Sequence, residues 1–570
     1  MEIKYKFYNQ DKFEYHYIYE ILKERFTFNE ENHGAYIKDV IKVLIENERN
    51  GEPFIDIDNQ QIVSGILNEE WPNEHIKILS ETGLINQRNS PIVLSRRKLS
   101  WQKWVKKIEK LTNTLISKND SDINMDLKIS SSKNSRKKDI YKIFQYYNLV
   151  LLQGGPGTGK TTLIINLMLK YLDHHPDLNI GLAAPTGKAV ARLKESINDQ
   201  KISTNGNKID RLECQTLHSW IYNLKNKSSK LKYKLSQLDF LIIDEMSMVG
   251  FDLIQSIIDN LARDCKILLV GDANQLSPIN SCSIWNHIFT NLDKSLFEKC
   301  TINLTRSYRN SGDIEILSKR IFNKILGSSH REIILDSLNN EKSNLKVLWE
   351  NHKNIPKGLI LEINNNLRLL KTSIYQLSQK DHIFNKDIVN LIDVEKELIS
   401  NVFINLNSHM ILCEKNIGIW GVKEINKIFI KQSEPYDYQN LDEGLPIMCT
   451  ENNNELGISN GDIGILIGSK KTRRFLFRKF NKRNEPIVSL IDPSKLESVI
   501  PAIAITIHKA QGSESNKVSI LWTNKPCKTD FEKSHPKCRN QILFRDSFER
   551  RMFYTAITRA KERLNLYILR

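Results

Sequence analysis

The sequence predicts an α/β fold: two parallel-sheet lobes, a small helical module ahead of them, and a β-rich insertion in the second lobe. Three observations carry this. From Asn148 onward, short apolar strands are each followed by a Gly-rich or acidic turn and then a helix: LVLLQ before GGPGTGK, IGLAA before PTGK, FLII before DEMS and ILLV before GDANQ. Such alternation builds a parallel sheet covered by helices, with ligands at the carboxyl ends of its strands. The chemistry-bearing motifs sit at such ends. Eight of them run in one order: GGPGTGKTT from Gly154, APTGKAVARL from Ala184, TLHSW from Thr216, DEMSMV from Asp244, GDANQL from Gly271, SYRN from Ser307, TIHKAQGSE from Thr506 and YTAITRAK from Tyr554.

The elements follow in chain order. Residues 1–110 carry no catalytic motif. Phe13, Tyr17, Ile18, Ile21, Leu22 and Phe26 recur at helical spacing, which predicts a small helical module. An apolar strand over Ile92–Leu99 precedes an amphipathic helix starting near Trp101, and the polar stretch Asn119–Arg136 reads as a linker. The first parallel-sheet lobe is expected over 111–300 and the second over 301–570. Within the second, Pro446–Ala502 alternates short apolar segments with turn signals, predicting a barrel-like β insertion at about 440–502. Residues 320–400 are polar and read as helical.

Length and charge bound the function. A chain of 570 residues has room for about four domains. No stretch approaches the roughly 20 apolar residues of a membrane span. The charged N-terminus lacks a secretory signal's apolar core, so a soluble, cytoplasmic chain is expected. A net charge of +16 suits a polyanion, because lysines and arginines release counterions when they neutralise phosphates. The richness in Lys, Asn and Ile would follow equally from AT-rich coding DNA, so the charge discriminates little. The eight cysteines show no paired CxxC spacing. Cys527, His535 and Cys538 lack a nearby fourth ligand, and reduced thiols are the expectation.

The motifs specify the chemistry. Gly154–Thr161 fits G-x-x-x-x-G-K-[ST] after a strand and before a helix. Gly154, Gly155, Pro156, Gly157, Thr158 and Gly159 would let backbone N–H groups close on phosphate oxygens at a helix N-terminus, extended by Thr162. Lys160 would reach the β- and γ-phosphates of ATP, and the Thr161 hydroxyl would ligate Mg²⁺. A lone acidic pair is ordinarily a solvated turn. At the end of the Phe240–Ile243 strand, however, Asp244 can hold the metal shell and Glu245 can polarise water. Gln275 could sense the γ-phosphate, its amide both donating and accepting. Arg309 and Arg559 are candidates to stabilise transition-state charge from a facing lobe, against the alternative of structural arginines. Thr186, Thr216, His218, Thr506 and His508 could contact a nucleic acid strand's backbone without reading bases.

GGPGTGKTT, APTGKAVARL, DEMSMV, GDANQL, SYRN, LGISNGDIGI, TIHKAQGSE and YTAITRAK together resemble the superfamily-one helicases, and within them the RecD branch, the alpha subunits of exodeoxyribonuclease V. The resemblance covers about residues 145–570 and only loosely the first 110. It implies two RecA-like P-loop NTPase lobes and an SH3-like insertion. It also implies a 5′-to-3′ motor on single-stranded DNA, using ATP and Mg²⁺. Such a motor works in a heterotrimer with a helicase–nuclease beta subunit and a recognition gamma subunit that processes double-strand breaks for recombinational repair. In that family the N-terminal module docks to the third subunit, and nuclease activity would reside in a partner. The glutamine that relatives place about seventeen residues before the P-loop to read adenine is missing, and Lys137 stands in its neighbourhood. A stand-alone RecD-like helicase usually carries a longer N-terminal region. A structural subunit with a degenerate motor is a third reading, opposed by the presence of every catalytic residue type.

Overall fold

The computed structural model describes residues 2–26, 28–58, 70–119, 136–204, 212–225, 234–278, 281–290, 295–308, 312–322, 332–334, 344–378, 388–389, 393–430, 432, 436–453, 455–469, 472–480, 486–523, 541–543 and 547–569. Arg309, the interior of the expected Asn119–Arg136 linker and the Cys527–Cys538 stretch lie outside the described residues. No described helix is long and apolar enough to cross a membrane.

The first lobe is built on a six-stranded sheet. Its strands run in the order Glu213–Thr216, Ile180–Ala184, Phe240–Ile243, Lys266–Gly271, Leu149–Gly154 and Thr301–Leu304, with every neighbouring pair parallel. The central strands are unbroken apolar runs because both faces are covered. Leu149 and Leu151 enter the core on one face, while Val150 and Leu152 enter the core on the other. The expected boundary at residue 300 falls short of the observed one. Thr301–Leu304 pairs beside the P-loop strand and closes this sheet's edge.

The N-terminal module contributes helices Glu2–Arg25, Glu30–Arg49, Asn73–Glu81 and Gln102–Ser117, and also a three-stranded antiparallel sheet. Where one strand is expected over Ile92–Leu99, there are two, Ile92–Ser95 and Lys98–Trp101. They reverse at Arg96 and Arg97, whose φ values of +48° and +62° match a two-residue hairpin turn. Helix Gln102–Ser117 buries Trp104, Ile108, Leu111 and Leu115 on one stripe. That stripe shares a single core with Phe251, Ile254 and Ile258 of helix Phe251–Asp259. Ion pairs Lys107–Asp252 (2.6 Å) and Lys110–Asp259 (3.7 Å) flank it, and Lys118 Nζ donates to the Ala262 carbonyl at 2.6 Å. Module and first lobe are therefore packed as one hydrophobic unit.

The second lobe holds a parallel sheet in the order Leu345–Glu350, Ala560–Leu569, Ser515–Thr523, His409–Cys413 and Ile505–Thr506. Residues 320–400 are thus not helical throughout. Lys357–Ser378 and Asp393–Leu406 are helices, but Leu345–Glu350 is an edge strand recruited by the chain's final strand. The insertion is a six-stranded antiparallel sheet, ordered Ile388–Val389, Pro486–Ile491, Arg474–Phe480, Ile463–Ile467, Pro446–Cys449 and Val499–Pro501. Among the described residues no pairing joins its two edge strands, so the barrel-like expectation becomes an open sheet. It also takes one strand from outside the expected 440–502 range. Leu370, Ile374, Val402 and Phe403 of the two helices cover Ile465, Leu476 and Leu490 on one face. Its other face, through Ile447, Leu466, Phe475 and Phe477, shares a core with Ile411, Ile425 and Tyr567 of the second lobe, and Arg478 pairs with Glu195 of the first lobe at 3.0 Å.

Candidate functional site

Strand Leu149–Gly154 delivers the loop that opens helix Lys160–His174. Gly157 and Gly159 hold φ of +73° and +81°, a region that is costly for any residue with a Cβ. A Cβ on Gly154 would lie 2.8 Å from Thr158 Oγ1 and 3.0 Å from Leu304 Cβ, so the loop closes only on a bare backbone. Thr158 donates to the Gly155 carbonyl at 2.8 Å. Gly155, Pro156, Lys160 and Thr161 are half-buried and Thr162 is exposed. The Lys160 ammonium folds back onto its own loop, donating to the carbonyls of Gly154 (2.7 Å) and Gly155 (3.0 Å). Those are contacts that a phosphate's oxygens can replace.

Asp244 and Glu245 follow strand Phe240–Ile243 directly. Asp244 is buried, and one of its oxygens accepts from the Glu245 N–H at 2.8 Å. Burial, then the neighbouring Glu245 charge, pushes its carboxyl up to about 6, against the pull of Lys160. Glu245 holds φ of +54°, an uncommon conformation for a side-chain-bearing residue and one found at constrained functional positions. The next strand, Lys266–Gly271, presents Asp272 and Gln275. Asp272 is buried, which raises its carboxyl above the usual range, and Lys160 again pulls in the opposite direction. Gln275 is 2% exposed, and its Oε1 is buried without a hydrogen-bond partner. Leaving such an acceptor empty costs about 1–3 kcal/mol, so the side chain is suited to a ligand's donor or to water.

The second lobe closes over this cluster. From helix Ser547–Ile557 the Tyr554 hydroxyl donates to Asp272 at 3.0 Å, and the Thr555 hydroxyl accepts from the Leu276 N–H at 3.0 Å. Tyr554 Oη would stand 3.1 Å from a Cβ on Gly155, so it also abuts the P-loop. Arg559, 2% exposed, donates to the carbonyls of Thr555 (3.0 Å) and Ser513 (3.3 Å). Burial lowers its pKa, opposed by the fields of Glu245, Glu514 and Asp272. Lys160 and Arg559, from opposite lobes, thus act on a shared acidic cluster. From the first lobe Arg192 reaches back to pair with Glu514 at 2.5 Å and to donate to the Gly512 carbonyl at 3.2 Å. Gln511 donates to the Leu276 carbonyl at 3.2 Å.

The five residues expected to face nucleic acid have local surroundings. Thr186 Oγ1 accepts from the Ala189 N–H at the start of helix Gly187–Thr204 (3.2 Å). Thr216 and Ser219 share a hydroxyl bond at 2.8 Å. Thr506 Oγ1 accepts from the Lys509 N–H at 3.4 Å. His508 lies against Phe548 with ring centroids 5.8 Å apart, and burial lowers its pKa. His218 is exposed.

Asp272, Tyr554, Arg192 and Glu514 stand inside quoted strings, yet sequence reasoning gave them no role. Tyr308 is a further omission. Its N–H donates to the Gly157 carbonyl at 2.8 Å, its ring is 71% exposed at the lip of the P-loop, and Arg306 lies 5.2 Å over that ring.

The AAA domain family matches residues 139–281, and the UvrD-like helicase C-terminal domain family matches residues 448–570. The RecBCD enzyme subunit RecD of Buchnera aphidicola subsp. Schizaphis graminum is 30% identical, covering 90% of this chain and 88% of the relative. The RecBCD enzyme subunit RecD of Mycolicibacterium smegmatis is 24% identical over 75% of this chain and 69% of its own length. The ATP-dependent RecD2 DNA helicase of Deinococcus radiodurans is 35% identical, over 24% of this chain and 17% of its own. The crystal structure of Bacteroides Pif1 bound to ssDNA aligns over 77% of this chain and 92% of its own at a TM-score of 0.34, with 18% identity. Two parallel-sheet lobes meeting at a P-loop, the two matching helicase-type families, and a RecD relative 30% identical over 88% of its length place the chain in the RecD family as an ATP-dependent DNA helicase.

Proposed function

We propose that this chain is the 5′-to-3′ translocating subunit of a helicase–nuclease complex that processes DNA double-strand breaks for recombinational repair. The observation that carries the motor half of this reading is that Tyr554 of the second lobe donates to Asp272 at 3.0 Å and abuts Gly155 of the P-loop. A triphosphate placed there would be sensed by both lobes at once. The names of the RecD relatives support the complex half.

The residues present suit ATP and Mg²⁺. The P-loop lysine is held by carbonyl oxygens that phosphate oxygens can replace, and the orphan Gln275 Oε1 can accept from a water beside the terminal phosphate. Gly154–Thr162 would cradle the phosphates, and Thr161 and Asp244 would hold the metal ion. Bound with the nucleotide, Mg²⁺ supplies neutralisation of the phosphate charge. Glu245 orients and polarises water, Gln275 reads the terminal phosphate, and Arg309 and Arg559 stabilise transition-state charge. Stepping follows if the DNA contacts of the two lobes, including Thr186, Thr216, His218, Thr506 and His508, tighten and loosen out of phase. In this reading residues 1–110 dock a recognition subunit, and the open antiparallel sheet serves as the SH3-like insertion beside the DNA path.

The deciding experiment is unwinding of duplexes bearing only a 5′ or only a 3′ overhang, by the chain alone and with its purified beta and gamma subunits. Unwinding from the 5′ overhang, strengthened by the partners, is expected. Preference for the 3′ overhang refutes the polarity. A solitary chain that gains nothing from partners points to a stand-alone helicase, and absent ATP turnover points to a degenerate motor.

A further inference from the structure

The loop that follows helix Glu30–Arg49 leaves the N-terminal module and enters the joint between the two lobes. Gly51, at φ +78°, presses so closely on the first lobe that a Cβ there would lie 2.3 Å from Ser277 Cβ and 3.3 Å from the Pro278 carbonyl oxygen. Its own carbonyl accepts from the Ser283 N–H at 3.3 Å. The loop is anchored behind by Glu52 N–H on the Asn47 carbonyl (2.9 Å) and Asn47 Nδ2 on the Phe54 carbonyl (2.8 Å). Phe54 in turn stacks on His287 of the first lobe at 4.9 Å.

From this anchored loop Glu52 pairs with Arg551 of the second lobe, and the two side chains are 14% and 9% exposed. Arg551 lies on helix Ser547–Ile557 one turn before Tyr554 and Thr555, so at 3.6 residues per turn these three share a face. Arg559 follows in the turn that ends the helix, its guanidinium held on the Thr555 carbonyl at 3.0 Å. The same guanidinium sits against the catalytic loop of the first lobe. In the amide orientation that satisfies all its neighbours, Asn286 accepts from Arg551 (3.2 Å) and from Ser277 (2.7 Å) and donates to the Ala273 carbonyl (3.3 Å). The Ala273 N–H in turn donates to Gln153 Oε1 at 3.2 Å, one residue before the P-loop.

We propose that Glu52 is a positioning residue for ATP hydrolysis: the N-terminal module reaches past the first lobe and fixes, through Arg551, the helix that aims Arg559 at the nucleotide cleft. This rests on the reading of Arg559 given above. A buried charge pair with one member on a rigid neighbour holds a helix in register. Removing that member leaves an unpaired cation that must move towards water. Displacing a catalytic group by about 1 Å can cost up to about a hundredfold in rate, without altering the phosphate-binding loop itself.

The test uses the full chain with single-stranded DNA, measuring kcat and KM of ATP hydrolysis, equilibrium binding of a fluorescent ATP analogue, and Tm. Glu52→Gln is expected to lower kcat about tenfold while leaving analogue affinity within about twofold. The charge swap Glu52→Arg with Arg551→Glu is expected to recover most of the loss. Glu52→Asp, which keeps the charge, is expected to lose only a few-fold, and it reports on the proposal should Glu52→Gln fold poorly. Unchanged kcat in Glu52→Gln, or a loss that tracks Tm and that neither the swap nor the aspartate relieves, overturns the proposal. Arg559→Lys separates it from the reading beneath. Activity abolished there but intact in Glu52→Gln refutes only the role of Glu52, whereas activity unchanged in Arg559→Lys removes the arginine's role and this proposal together.

Discussion

The Tyr554 hydroxyl donates to the Asp272 carboxylate at 3.0 Å, a contact between residues 282 positions apart that joins the two lobes at the floor of the nucleotide cleft. Burial, reinforced by the Asp272 charge, raises the tyrosine's pKa well above its ordinary value, so it stays protonated and remains a donor. Asp272, itself raised by burial, depends on this bond among others to hold its negative charge.

Tyr554→Phe removes that bond. The expected cost is about 1.5–3 kcal/mol of stability, the usual worth of a hydrogen bond to a charged group, read as a fall in Tm. The Asp272 carboxyl, losing a donor to its ionised form, titrates at higher pH than before. A Tm unchanged by the substitution would mean that this bond adds nothing to the joint between the lobes.

Asp244→Asn separates stability from activity. The folded carboxyl titrates near 6, above its ordinary 3.8, so the native state binds the proton more tightly than the unfolded chain does. Stability therefore falls as pH rises from about 3.8 to about 6 and stays lower above that. The asparagine variant carries no such penalty. Its Tm at pH 7.5 is expected to exceed the wild type's by a few degrees, with the advantage vanishing at pH 4, while DNA-stimulated ATPase is lost. Wild-type kcat/KM for ATP is expected to fall about tenfold per pH unit below about pH 6. A lower Tm in the variant at both pH values contradicts the account.

Tyr308→Ala tests the lip of the cleft. The exposed ring beside Gly157 offers a flat apolar surface to a nucleotide base, and base–aromatic stacking is worth about 1–3 kcal/mol. KM for ATP is expected to rise about tenfold at nearly constant kcat. Tyr308→Phe, which keeps the ring, should behave as wild type. A rise in KM for both variants would assign the effect to the hydroxyl.

Lys160→Gln is expected to abolish ATPase and unwinding with the far-UV spectrum unchanged. The amide can still donate to the Gly154 and Gly155 carbonyls, so the loop keeps most of its closure. Undiminished turnover in this variant would remove the P-loop from the mechanism.

The parts of this molecule legible in the sequence are those written in contiguous letters. LVLLQGGPGTGK carries strand, turn and helix start together, and the covered parallel strands Phe240–Ile243 and Lys266–Gly271 read as unbroken apolar runs. Lys160, Asp244, Glu245, Gln275 and Arg559 were named from such strings. The pairings that close the cleft were not legible. Tyr554 with Asp272 and Glu52 with Arg551 join residues 282 and 499 positions apart, and nothing local to Glu52 in NGEPF marks it as more than a polar turn. The edge strand Leu345–Glu350 escaped for a related reason. LKVLWE has too few residues to reveal a period, and it is a strand only because the chain's last strand lies beside it.

The folded-back Lys160 has a bearing on speed. A cation already satisfied by two oxygens exchanges partners when nucleotide arrives, and much of the raw electrostatic attraction goes into breaking the old pair. When the spent nucleotide leaves, the same two carbonyls are waiting to receive the ammonium. That built-in substitute moderates the grip on the leaving molecule, and an engine that must discard its fuel remnant at every stride benefits from loose hands.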